Sequence, residues 1–125
     1  MSEIKTEIKT PPRTIAVTIQ GNDYSIPFPN TGQLMDIEVL KVSFARNSYD
    51  GIANARTNSS DYVRFLIDAL STFTVLCPGL KKDLKVENFA ALDAIDSKRI
   101  LDAYLNKVLP WMKEWESVLN SELPE

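Results

Sequence analysis

Only one stretch of this 125-residue chain alternates with period two, and that single fact narrows the folds open to it. In "RTIAVTIQ", Ile15, Val17 and Ile19 fall on one side while Thr14, Ala16 and Thr18 fall on the other, the pattern of a half-buried strand. Gly21-Asn22-Asp23 then supplies turn residues, and "YSIPF" answers with Tyr24, Ile26 and Phe28 on one face, so the spacing predicts a β-hairpin. Pro27 and Pro29 lack an amide hydrogen, which makes the second strand an edge or ends it early. A lone hairpin is marginal in water and must pack on something else.

The rest of the chain offers helices for that purpose. Asn30 and Gln33 stand at capping-box spacing, and a helix is expected from about Gly32 to Arg46. It carries Leu34, Ile37 and Lys41 on one stripe and Met35, Val39 and Val42 on another. That arc is wide enough to imply contact on two sides. "NSYDGIANARTNSSD" breaks the pattern and reads as a mobile loop. Ser59 or Ser60 is expected to cap a second helix, in which Tyr62, Phe65, Leu66, Ala69, Leu70 and Phe73 recur at helical spacing until Cys77-Pro78-Gly79 stops it. A connector with about one helical turn leads to a last helical region from near Ile95, burying Ile100, Leu101, Tyr104, Leu105 and Val108. Pro110 must kink or restart that helix, after which Trp111, Met112, Trp115, Val118 and Leu119 continue its apolar side.

The expected fold is therefore mainly α with a small N-terminal β-hairpin, a compact domain of three to four helices over residues 13–120. Its core is expected to hold Phe65, Leu66, Leu70, Phe73, Ile100, Tyr104, Val108 and Trp111. Residues 1–12 read as a flexible arm, with the tandem repeat Glu3-Ile4-Lys5-Thr6 and Glu7-Ile8-Lys9-Thr10, because so little apolar surface does not repay ordering. Ile4 and Ile8 would share one helical face if the arm ordered against a neighbour. Residues 121–125 read as a solvated tail.

Composition excludes several functions. A formal net charge of -3 without clustered Lys and Arg gives no footprint for nucleic acid; Lys81, Lys82 and Lys85 read as a solvated loop. No apolar run approaches the roughly 18–20 residues that span a bilayer. "MSEIKTEIKT" has no signal-like hydrophobic region, and the lone Cys77 fits a reducing compartment. The chain has no histidine, which removes the commonest general base, zinc ligand and triad member. Its four glycines are too scattered for a phosphate-binding loop. Asp93 and Asp96 read as helix-start carboxylates. No catalytic residue, metal site or cofactor is expected.

The hairpin "TIAVTIQGNDYSIPF", followed by "TGQLMDIEVLK", "LSTFTVLCPGLKKDL" and "YLNKVLPWMKEW", resembles small accessory proteins of tailed bacteriophages, in particular the tail assembly chaperone type. The likeness runs from about Thr14 to Leu119. It implies a protein of the host cytoplasm that sequesters apolar helices of the tape-measure protein until tail polymerisation begins. The alternatives are a virion component of the head–tail assembly, or a phage-encoded inhibitor that binds a host complex. The implied partner is another phage structural protein, with self-association also open.

The two tryptophans, four residues apart behind Pro110, divide between these needs. Trp111 is expected to fold back onto Phe65, Phe73 or the hairpin. Trp115, flanked by charges, is the better candidate for partial exposure, and if it protrudes together with Val118 and Leu119 the three form an apolar strip able to accept a partner helix. Met112, Met35 and Val39 are the other expected partner-binding residues.

Overall fold

The computed structural model describes residues 10–46, 51 and 57–122. Two antiparallel strands, β1 (Thr14–Ile19) and β2 (Asn22–Pro27), precede a helical remainder. The helices are α1 (Thr31–Phe44), α2 (Asn58–Leu76), the short α3 (Pro78–Asp83), α4 (Ala94–Ala103) and α5 (Leu109–Glu122). A 3-10 turn occupies Phe89–Ala91, and a π-helical turn, Tyr104–Val108, joins α4 to α5 without a break. The mainly α, hairpin-led architecture is the expected one.

The hairpin turn is tighter than expected. Ile19 pairs with Asn22, leaving only Gln20 and Gly21 in the turn, at φ 52° and 82°. Positive φ at both central residues is the type I′ signature, whose twist matches the strands. Asn22 and Asp23 belong to β2 instead, and Asp23 accepts the Thr18 hydroxyl across the ladder at 2.6 Å. Val17, Ile19 and Ile26 are buried against the helices.

Helix starts follow from side-chain caps. Asn30 accepts from the Gln33 amide while the Gln33 side chain takes the Asn30 amide, a full capping box. Thr57, rather than either serine, caps α2 by accepting from the Ser60 amide at 3.0 Å. Helix α2 therefore begins at Asn58, two to three residues earlier than a cap at Ser59 or Ser60 implies. The loop residues 47–50 and 52–56, like the arm residues 1–9, lie outside the described residues. Pro78 closes α2 and opens α3 at its first turn, where a missing amide hydrogen costs nothing. Lys81 and Lys82 sit in the last turn of α3 instead of a loop.

α2 lies between α1 and α4, and β1 rests on α4. Leu70, Phe73, Ile100, Tyr104, Val108 and Trp111 are buried as expected. Phe65 and Leu66 are only half-buried at the core's margin, and Tyr62 is 39% exposed. The reason lies in the burial along α2: its C-terminal half, from Ile67 through Leu76, is enclosed on several sides, whereas its first turns are not. The Arg64 guanidinium covers the Phe65 ring from 4.3 Å.

Pro110 produces neither a break nor a fresh cap. The Leu109 amide reaches back to the Tyr104 carbonyl, one residue further than in an α-helix, and Pro110 falls in the first turn of α5. The widened turn absorbs the hydrogen bond that proline cannot make. α5 extends to Glu122, two residues into the expected tail.

Candidate interaction surface

α1 carries apolar side chains all around its circumference, but only Ile37, at 5% exposure, is deeply buried along it. Residues 35, 39 and 42 project from the side opposite Ile37, by the 100° advance per residue of a helix. Met35 and Val39 are 63% and 67% exposed there, and Val42 is exposed beside them. Val39, Val42, Ser43 and Arg46 line a shallow depression. A surface helix normally turns one apolar stripe inward and a polar face outward, and α1 departs from that rule. Glu38 and Lys41 pair at 2.9 Å on its flank, with Asp68 of α2 3.8 Å from the same ammonium.

Spacing groups Leu34 with Ile37, yet Leu34 is 47% exposed. It forms one wall of a groove of about 540 Å3, with Phe28, Leu109, Met112 and Leu119 opposite and Lys113 and Glu116 at the rim. Two expected partner-binding residues, Met112 and Leu119, thus meet α1 at this groove. Leu34 and Phe28 are additions that only the tertiary arrangement reveals.

Trp115 has the partial exposure expected of it, limited by its contacts. Its indole nitrogen donates to the Pro12 carbonyl at 3.1 Å, a carbonyl that also accepts Trp111 at 2.7 Å. Its ring lies 5.1 Å from Phe28, and the Arg13 guanidinium stands 5.7 Å from its centre. Trp115 is half-buried against the core. Trp111 packs edge-on to Phe28 at 5.6 Å, so it folds onto the hairpin's end. The expected strip of Trp115, Val118 and Leu119 is divided: half-buried Val118 lines a separate hollow with Thr10, Pro11, Glu114 and Ser117, while Leu119 faces the α1 groove. The carbonyl of Pro12 also shows that the packed chain begins at or before Pro12, inside the span read as an arm.

Two carboxylates near the start of α4 make structural contacts. Asp93 caps α4 by accepting from the Asp96 amide, and Asp96 accepts from the Gln20 side chain, each at 2.9 Å. Burial pushes the Cys77 thiol up and the Tyr104 hydroxyl up to about 12, with the Asp68 and Glu38 charges adding to the effect. Among the described residues, no cluster of three His, Cys, Asp or Glu side chains is placed to hold a metal ion. No described helix is long and apolar enough to cross a membrane. Compared with known proteins, the chain matches no family model, no curated protein and no solved structure.

Proposed function

We propose that this chain is a non-enzymatic protein-interaction module that shelters an apolar helix of another protein. Its working surface is the outer face of α1 with the adjoining groove of Phe28, Leu34, Met112 and Leu119. The observation that carries the reading is the contrast within one helix: Ile37 is 5% exposed, whereas Met35 and Val39, on the opposite side, are 63% and 67% exposed. Burying apolar area releases roughly 25 cal/mol per Å2, so a partner helix laid along this face gains what α1 forgoes in the free chain. In its most specific form, the partner is a tape-measure protein and the chain is a tail assembly chaperone acting in the host cytoplasm.

The test is a pair of charge substitutions. Val39→Lys and Met35→Lys should leave the thermal midpoint nearly unchanged and weaken binding to an apolar helical tape-measure fragment at least tenfold. Unaltered binding would reject the surface. Mass spectrometry of purified particles separates the chaperone from a structural part: a chaperone is absent from mature virions, and a fixed copy number there would make the chain a virion component instead.

A further inference from the structure

β1 presents a second binding element, lined by residues other than those of the surface described above. Among the described residues the sheet has two strands, so each strand has one edge that no described strand covers. The Arg13 carbonyl accepts from the Phe28 amide at 2.7 Å, and the register sets Ile15 opposite Ile26 and Val17 opposite Tyr24. Antiparallel pairs alternate between bonded and non-bonded, so the odd-numbered residues of β1 bond to β2. The N–H and C=O groups of Thr14, Ala16 and Thr18 therefore point to the open edge, and among the described residues they have no hydrogen-bond partner.

The two edges are not equivalent. Proteins commonly blunt an exposed strand edge with proline or charge. β2 has both on its free edge, Pro27 and Asp23. β1 offers Thr14, Ala16 and Thr18, with neither.

A groove of about 390 Å3 follows the β1 edge from Ala16 to Gln20, with Arg99, Asp102, Ala103, Asn106 and Lys107 forming its other wall. The Gln20 side chain, bonded to Asp96 at 2.9 Å, pins the hairpin tip to α4. Asp102 is balanced by Lys98 at 3.2 Å. Arg99 is 4.0 Å from Asp96, which is already committed to Gln20, and Lys107 has no ion-pair partner among the described residues. The groove thus holds surplus positive charge on a chain whose formal net charge is -3.

We infer that the β1 edge takes an extended acidic segment of another protein as a third strand, its alternate carboxylates directed at Arg99 and Lys107. Main-chain ladder bonds would supply affinity, and the two cations would select the sequence. A second copy of this chain fits less well, because pairing β1 with itself brings like charges together. The site does not use the outer face of α1 and stands independently of the function proposed above.

The experiment titrates the full chain, 15N-labelled, with a blocked hexapeptide of alternating threonine and glutamate. Resonances of the Thr14, Ala16 and Thr18 amides should shift, and their hydrogen exchange should slow at least tenfold. The same peptide methylated on its backbone nitrogens, and the Arg99→Glu/Lys107→Glu variant given the unmodified peptide, should each bind at least tenfold more weakly. Circular dichroism of that variant should match the parent, since both side chains are exposed. Absence of shifts at the three amides, or equal binding of the methylated peptide, would overturn the proposal. Edge amides already protected in the free chain, and released on deleting residues 1–9, would overturn it in favour of the chain's own N-terminus. Protection that grows with protein concentration would overturn it in favour of a second copy.

Discussion

Trp111 donates its indole hydrogen to the carbonyl of Pro12, 2.7 Å away and 99 positions earlier in the chain. That bond, with the edge-on contact to Phe28, clasps the last helix to the segment that leads into the hairpin. Trp111→Ala should cost roughly 3–5 kcal/mol, as for other buried aromatic truncations. Trp111→Phe keeps most of the volume and loses the bond, at about 1 kcal/mol. Trp115→Phe should cost less still, because its bond is longer, at 3.1 Å, and its side chain only half-buried; in either single variant the other indole still satisfies the shared carbonyl. The double Phe variant should then exceed the sum of the two singles. Chemical denaturation of the four proteins checks this order.

Gly21 sits at φ 82° with open space around it, so an added methyl meets no atom but is held in the left-handed region. Gly21→Ala should destabilise by roughly 1–2 kcal/mol through backbone strain alone. Gly21→Asn should cost less, since asparagine tolerates that region. Equal midpoints for the two variants would contradict the type I′ geometry.

The Tyr104 hydroxyl, pushed up to about 12 by burial, makes stability fall at alkaline pH. In the unfolded chain the phenol ionises near 10. Between about pH 10 and 12 the unfolded state therefore loses a proton that the folded state retains, and the unfolded state gains. The contribution is whole below pH 10 and lost as pH rises to 12. Tyr104→Phe should flatten the loss of thermal midpoint across that window. Tyr24 is shifted in the same direction, by burial and then by its 2.6 Å bond to Asp83, so the slope should be reduced rather than abolished.

Ser71 is fully buried and, among the described residues, its hydroxyl has no hydrogen-bond partner. Removing an unsatisfied hydroxyl recovers its desolvation penalty, about 1–3 kcal/mol, less the small loss of packed volume. Ser71→Ala should hold or raise the thermal midpoint, which a calorimetric scan reads directly.

How much of this was legible in the residues depends on the range of the interaction. Period-two alternation announced the hairpin, and the Asn30–Gln33 capping box announced the start of α1, because both signals are local. Asn22 and Asp23 are good turn formers and draw the expected turn one or two positions too far along, while the requirement for positive φ at Gln20 and Gly21 follows from strand register. Pro110 signalled an interruption, but a π turn at Tyr104–Val108 resolves it without breaking the helix. Charged neighbours suggested exposure for Trp115, whereas its partners, Pro12 and Phe28, are distant in sequence. The Met35–Val39 face was readable as a second apolar stripe; the groove that Leu34 shares with Leu119 was not, since it needs two helices to exist.

The Pro12–Trp111 clasp also sets an order of events during synthesis. Phe28 leaves the ribosome 83 residues before Trp111, which at about 5–20 residues per second is a wait of roughly 4–17 s. Throughout that interval the nascent hairpin has no tryptophan to receive its aromatic end. Closure of the clasp therefore waits until the α5 segment has been synthesised.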